Sequence, residues 1–525
     1  MHSSLKFLSV FSILTVCSLN QNEAGVADFK FSSLNLHPDH LPFFFHQFPE
    51  IAKLCLTVDS CPYKDVVGKS ACWGYENDCT ENHRFSTPIC EGSHKGWVKT
   101  KEEQIDTFYS QGDFGYIREQ REEMKVLCEP SLQTDSSLEC SSYLRFCRGR
   151  NIMINFTHLI NRDEQLRYKM DVLHEGQIGG HCKFHEDKLK QEADHLSPLQ
   201  SWAPELRFFT SLSEPPIEKN HCDYVIDTPT VLMKIDATVN MYHHFCDFFN
   251  LYASQHVNAS HPNMFSKDLQ VLIWESYSYH SGFAPMWDVF TQNPIWNLNT
   301  FKGKTVCFRN IVFPLLPRMI FGLYYNTPLM YGCERSGLFK AFSQHTLHRL
   351  DIPFHPRKDN RVHITFLSRA TAHRRVLNEE ALLDPLHKNP RYLVQRIVFT
   401  HLTDFKTQLE IIRNSDVLIG MHGAGLTHLL FLPDWAAVFE LYNCEDDRCY
   451  LDLARLRGLF YITWEDKNKL KAQDQGHHPD GGAHAKFTNY EFDVMEFERL
   501  VKICAKSVIN NKDYQKLLTV RHEEL

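Results

Sequence analysis

Residues 415–428 read SDVLIGMHGAGLTH. Asp416-Val417-Leu418-Ile419 has the composition of a short buried strand, and Gly420 ends it. His422-Gly423-Ala424-Gly425 turns the corner, and an apolar run from Leu426 to Leu432 follows, closed by Pro433. A glycine turn between a buried strand and a helix start lets backbone N–H groups face a diphosphate, and the helix dipole favours its negative charge. The stretch matches neither G-x-G-x-x-G nor a P-loop, because no Lys follows the last glycine. A plain glycine-rich corner of an α/β domain fits the same residues, and the motif alone leaves both readings open.

The surroundings extend the α/β pattern. Residues 362–367, 393–399, 437–441 and 460–464 are strand-like, and 379–384 and 405–414 have helical patterning. Alternation of this kind predicts a parallel, doubly wound sheet, whose ligands bind beyond the carboxyl ends of the strands. From about Cys222 a similar texture appears earlier in the chain. Residues 224–226, 269–274 and 310–313 are strand-like, 242–256 a helix, and the polar stretch 353–360 a linker. The expected fold class is α/β, with two Rossmann-like doubly wound domains at 201–355 and 356–505. A cysteine-rich region, 19–200, precedes them as an irregular segment packed onto the rest of the chain.

A chain of 525 residues exceeds one core. With 43% hydrophobic and 23% charged residues it has the composition of a folded globular protein. Lys+Arg 56 against Asp+Glu 64 gives a net charge of −8. With no long basic run, nucleic acid is disfavoured as a partner.

The ends point to a compartment. Lys6 and the apolar stretch 7–19 resemble a secretory signal, with cleavage expected after Ser18 (domain 1–18). No later apolar run has the length of a membrane span. The tail 506–525 ends in His522-Glu523-Glu524-Leu525, a variant of the address read by the KDEL-type retention receptor. The expected location is the lumen of the endoplasmic reticulum. Eight of the 17 cysteines lie between Cys55 and Cys147, which reads as a disulfide framework of unassigned pairing. Cys182, between His181 and His185, fits a disulfide better than a metal cluster. Asn155 and Asn258 open N-glycosylation sequons.

Three groups of residues could carry chemistry. Arg369, Arg374 and Arg375 follow a strand, where guanidiniums suit bidentate phosphate recognition. Glu440 ends the next strand, where a carboxylate can accept ribose hydroxyls. His243, His244 and Asp247 share about one helical turn, so a carboxylate beside an imidazole could take a proton from an alcohol. Solvated turns, a loop carboxylate and core hydrogen bonding are the ordinary alternatives. The chain contains no Asp-x-Asp. No cofactor is assigned, and a Mn²⁺ or Mg²⁺ held by dispersed carboxylates stays open.

Tyr242-His243-His244-Phe245-x-Asp247, Arg369-x-Thr371-x-x-Arg374-Arg375-x-x-Asn378 and Gly420-Met421-His422-Gly423-Ala424-Gly425-Leu426 occur in an order that resembles glycosyltransferase family 61. Similarity also covers residues 72–76, 197–202 and 419–458. The resemblance implies a GT-B-like pair of domains, with the acceptor side at 201–355 and the UDP-sugar side at 356–505. It implies a hexosyltransferase that moves one N-acetylglucosamine from UDP-N-acetylglucosamine to Ser or Thr. The implied acceptors are folded EGF-like domains of secreted or membrane proteins (Notch-like), modified between the fifth and sixth cysteines with inversion to a β-linkage. From the residues themselves, Arg369, Arg374, Arg375, His422, Gly423, Ala424, Gly425, Thr427 and Glu440 are expected to hold the donor, and Asp247, with His243 or His244, is the expected base; the resemblance itself singles out Arg374 as matching the family's functional arginine. Trp202 matches the shared pattern. Relatives carry Asp-x-Asp after a Trp-x-x-Phe-Thr segment as an activity-supporting feature, whereas here Gln292-Asn293-Pro294 follows Trp287–Thr291. Two other readings remain, a sister N-acetylglucosaminyltransferase acting on O-mannosyl glycans and a catalytically impaired lumenal protein that binds EGF domains.

Overall fold

The computed structural model describes residues 29–523 apart from 32–33, 95–97, 319–329 and 356–358. The signal sequence at 1–18 lies outside the described residues, as do Glu524, Leu525 and the side chains of His522 and Glu523.

Two large sheets organise the described chain. The first has eleven strands and is mixed. Its central members are β1 (Lys125–Glu129), β2 (Ser137–Cys140), β3 (Cys147–Asn155), β4 (Thr230–Met233), β5 (Gln270–Ile273) and β6 (Thr305–Phe313), in the spatial order β5-β4-β6-β3-β2-β1. β4 runs parallel to β5 and β6, but β6 pairs antiparallel with β3, from Thr305 opposite Asn155 to Phe313 opposite Cys147. The cysteine-rich region is therefore not an irregular appendage. It supplies strands to the same sheet as residues 230–313, and that sheet is not a purely parallel one. The local signal is weak because β1 and β2 are short and a tight Cys140–Cys147 hairpin interrupts the alternation.

Helix α1 (Met241–Val257) follows β4. Asn240 caps it by accepting from the Tyr242 N–H, and nearly all of its side chains are buried. It is the central helix of the main core. Helix α2 (Gly337–Arg349), capped by Ser336, packs alongside it through stacked Phe249 and Phe339, ring centroids 4.1 Å apart.

The second sheet has five parallel strands: β7 (Val362–Leu367), β8 (Tyr392–Ile397), β9 (Val417–Gly420), β10 (Ala437–Glu440) and β11 (Phe460–Thr463). Their order is β8-β7-β9-β10-β11. β7 and β9 are fully or almost fully buried, as a sheet covered on both faces requires. Connecting helices are α3 (Glu379–His387), α4 (Phe405–Arg413, capped by Asp404), α5 (Cys449–Arg457, ended by left-handed Gly458) and α6 (Val494–Asn510, capped by Asp493). This order reverses direction between β7 and β9. The crevice beyond their carboxyl ends is the place where doubly wound sheets bind ligands.

One element departs from expectation. The apolar run after the glycine turn forms a 3₁₀ helix, Ala424–Phe431, not an α-helix. The Leu426 N–H bonds the Gly423 carbonyl at 2.9 Å, and this i→i+3 closure sets the tighter winding at its first turn. The run packs against α1, with Phe245 and Phe431 ring centroids 5.7 Å apart, and so brings the two sheets together.

Among the described residues six disulfides pair Cys55–Cys61, Cys72–Cys79, Cys90–Cys333, Cys128–Cys182, Cys140–Cys147 and Cys222–Cys307. The framework expected from the cysteine density is present, and Cys182 is a disulfide member. Among the described residues no helix is long and apolar enough to cross a membrane.

Candidate functional site

The loop after β7 and the turn after β9 meet at the crevice. Arg369 Nη1 and Arg374 Nη1 both donate to the carbonyl oxygen of His422, at 3.2 and 3.1 Å. Two guanidiniums thus converge on the glycine turn. Burial and the neighbouring Arg374 pull the Arg369 guanidinium down to about 10. Arg374 Nε is buried without a hydrogen-bond partner. Arg374 also sits at φ 59°, held there by its N–H to the Thr488 carbonyl at 2.7 Å. Two like charges thus share one carbonyl acceptor, one of them on a left-handed backbone, an arrangement suited to receiving an anion. Gly423 (φ +148°) lies directly beneath them, and a Cβ there would stand 2.2 Å from Arg369 Nη1. The N–H groups that open the 3₁₀ helix lie beside the guanidiniums. Ala424 and Gly425 are half-buried, Thr427 is buried near Tyr450, and Arg375 is exposed with its backbone N–H tied to Asn489. Apart from Glu440, the expected donor residues lie in or beside this crevice.

Glu440 behaves differently. Its side chain is buried, Oε1 lies 2.8 Å from His422 Nδ1, and Oε2 accepts from the Tyr461 hydroxyl. Both oxygens are occupied beneath the turn, so the expectation that Glu440 holds a ribose is corrected. It props His422. The other ring nitrogen, Nε2, lies 3.7 Å from Asp446, which pairs with Lys486 at 2.7 Å. Beyond β10 a cavity of about 850 Å³ opens, lined by Tyr442, Asp446, His484, Lys486 and Tyr490 among others. Sequence reasoning missed this wall, which is built by the segment joining two short strands, Leu470–Ala472 and Tyr490–Phe492, as it packs against residues 374–376 and against Tyr442 and Asp446.

The start of α1 faces the same region. The Tyr242 ring lies 5.8 Å from that of Tyr450, which lies 5.3 Å from that of His422. Asp247 is fully buried. It accepts from the Asp236 N–H and from His244 Nδ1, and burial and then the Asp236 charge push its carboxyl well above the usual range. His244 is also buried, between Asp247 and the Tyr279 hydroxyl, and burial lowers it to about 3. Neither can touch a substrate, which corrects the reading of Asp247 or His244 as the proton acceptor. His243 is the half-exposed member, with Nδ1 2.8 Å from Asp236 Oδ2. Asp236 also receives Arg318 at 2.9 Å and Arg167 at 3.0 Å. Burial raises the Asp236 carboxyl, but hydrogen bonds from His243 and Arg318 outweigh it and leave it below the usual carboxylate range. No local pattern marks Asp236, since its two arginine partners converge from distant parts of the chain and only His243 is near in sequence.

Other expected residues lie elsewhere. Trp202 is buried, donates to the Pro314 carbonyl at 2.7 Å and stacks edge-on against Phe313, so it packs the core. Gln292, Asn293 and Pro294 tie their loop to the amino end of β5, through Gln292 N–H to Lys267, Asn293 Nδ2 to Leu269 and Gln270 to the Pro294 carbonyl. That end is opposite the crevice. Asn155 and Asn258 are half-buried, with Asn258 capping the end of α1. Among the described residues, the one cluster with metal-ligand spacing is Cys72, Glu76 and Cys79, and its cysteines are joined to each other.

Residues 241–439, from the first residue of α1 to β10, match the model for glycosyltransferase 61. Over 489 residues the chain is 55% identical to the EGF domain-specific O-linked N-acetylglucosamine transferase of Drosophila melanogaster, covering 92% of each chain. It is 47% identical over 532 residues to the protein of that name from Pan troglodytes (99% of each), and 48% identical over 493 residues to that from Xenopus laevis (92% of this chain, 93% of the relative).

Proposed function

The chain belongs to glycosyltransferase family 61, and from that premise we propose that it transfers a single N-acetylglucosamine from UDP-N-acetylglucosamine to Ser or Thr of folded EGF-like domains. The observation that carries the donor assignment is the convergence of Arg369 and Arg374 on the His422 carbonyl above Gly423. There the diphosphate is held by two guanidiniums and the turn's N–H groups, and its nucleoside end occupies the cavity beyond β10. That cavity, about 850 Å³, is within the size range of small-molecule sites. The two sheets then act as a GT-B-like pair, with the donor on the second and the acceptor on the α1 side. The transfer is inverting: the acceptor oxygen attacks in line as the diphosphate departs, and a base takes the hydroxyl proton. EGF domains enter as acceptors from the names of the relatives. The hydrogen bonds made by residues 291–294 support a structural role for that loop in place of an acidic pair.

The decisive assay is sugar transfer from UDP-N-acetylglucosamine to a folded EGF domain, with and without chelator, beside an O-mannosyl peptide. Transfer to the EGF domain alone supports the proposal. Donor binding without transfer to either acceptor reduces the chain to a lumenal binding protein. We place it in the endoplasmic reticulum on the leader and the His522–Leu525 tail. Deleting the tail should release the protein to the medium, and equal retention would refute this location.

A further inference from the structure

We infer that His243 takes the proton of the acceptor hydroxyl and that Asp236 is the residue that positions it. This rests on the transferase reading above and names the base which that reading leaves unassigned. Of the three groups at the start of α1, Asp247 and His244 have no exposed side-chain surface, whereas the His243 side chain is 25% exposed. His243 stands at the carboxyl end of the first sheet, on the helix that the β4–α1 loop delivers to the crevice. Its neighbour Tyr242 reaches Tyr450 and, through that ring, His422 at the glycine turn.

The partner of its Nδ1 decides what the ring can do. Asp236 is buried and receives Arg318 through both carboxylate oxygens and Arg167 through one. These contacts keep the carboxylate anionic. An anionic acceptor at Nδ1 keeps the ring proton there, and the lone pair is then on Nε2. Carboxylate–imidazole pairs elsewhere use the same logic to hold the base in the working tautomer.

The step balances without a further reactant. The acceptor's O–H proton moves to His243 Nε2 as its oxygen bonds the anomeric carbon. The bond from that carbon to the diphosphate oxygen breaks, and its electron pair leaves on the diphosphate between Arg369 and Arg374. Asp236 stabilises the imidazolium without accepting the proton, because its two arginines favour the charged carboxylate. The proton is afterwards released to solvent.

The test uses the full-length protein. His243→Ala should lower kcat by about 100-fold or more, with donor affinity and both KM values within two-fold of the parent. Added imidazole should restore at least ten-fold of that loss. Asp236→Asn should lower kcat comparably while UDP binding stays. Should Asp236→Asn fail to fold because two arginines lose their partner, imidazole rescue of His243→Ala still decides. A folded His243→Ala protein that keeps kcat within three-fold, loses UDP binding along with activity, or gains nothing from imidazole would overturn the inference. Absence of transfer by the unaltered protein would count against the activity itself, not against the choice of base.

Discussion

His422 and Glu440 meet through Nδ1 and Oε1 at 2.8 Å, across the carboxyl ends of two adjacent parallel strands. The contact fixes the turn's imidazole from below, while its carbonyl faces the two arginines above. Glu440→Ala removes the acceptor of both His422 and Tyr461. Loss of about 1–3 kcal/mol is expected in urea unfolding, the cost of stranded buried donors. In the surviving folded fraction, the KM for UDP-N-acetylglucosamine should rise more than the KM for the EGF domain.

Arg374 tests the cradle directly. Arg374→Ala should weaken UDP binding by about 10- to 100-fold in calorimetry, the loss of one charge-assisted contact of about 1.5–3 kcal/mol. Arg374→Lys should recover little, because an ammonium cannot present the planar fork. Full recovery by lysine would show that charge alone matters there.

Gly423→Ala asks whether the turn tolerates a side chain. The added methyl meets the far end of Arg369 at 2.2 Å, and the φ of +148° disfavours it. Arg369 can swing away, so the fold should persist with a lowered melting temperature. UDP binding should fall at least as far as in Arg369→Ala, and binding at parental strength would rule the steric argument out.

Lys234 and Glu205 form a fully buried pair at 2.8 Å beneath Trp202. Lys234→Met alone leaves a buried carboxylate and should cost about 3–5 kcal/mol in urea unfolding. The double variant Lys234→Met with Glu205→Leu should recover most of that loss. A double variant as unstable as the single one would mean that the pair contributes more than mutual neutralisation.

Asp113 gives a pH signature. Burial raises its carboxyl from 3.8 to about 6, against hydrogen bonds from Ser86 and the N–H groups of Gly337, Phe114 and Leu338. The folded state binds this proton more tightly than the unfolded state. The resulting stabilisation is complete below pH 3.8 and is lost as pH rises through about 6. The shift corresponds to about 2–3 kcal/mol. Asp113→Asn should remove this component, seen as the difference between wild-type and variant urea curves at pH 4 and pH 7. A difference that does not change with pH would refute it.

The second sheet was legible because its three central strands are buried on both faces and its helices carry capping residues such as Asp404 and Asp493. Periodicity and caps are local properties. The arginines and the glycine turn were legible for the same reason, since each lies just past a strand end. The first sheet was not, because β3 finds its partner β6 across about 150 residues and nothing local encodes that pairing. Glu440 and Asp247 were misread because sequence position gives the strand end or helix face but not the depth of burial. Asp236 had no local mark, because the two arginines that hold it, Arg167 and Arg318, come from distant parts of the chain.

The antiparallel pairing of β3 with β6 also bears on how the chain is made. On the ribosome, β3 emerges about 150 residues before β6. At 5–20 residues per second its edge waits roughly ten to thirty seconds without its neighbour. An open, largely buried strand held that long is a template for wrong pairing. That edge stays unpaired over the interval, whereas the Cys140–Cys147 disulfide closes the β2–β3 hairpin and secures the other edge. Trimming the cysteine-rich region to obtain a smaller enzyme would remove half of a sheet rather than an appendage.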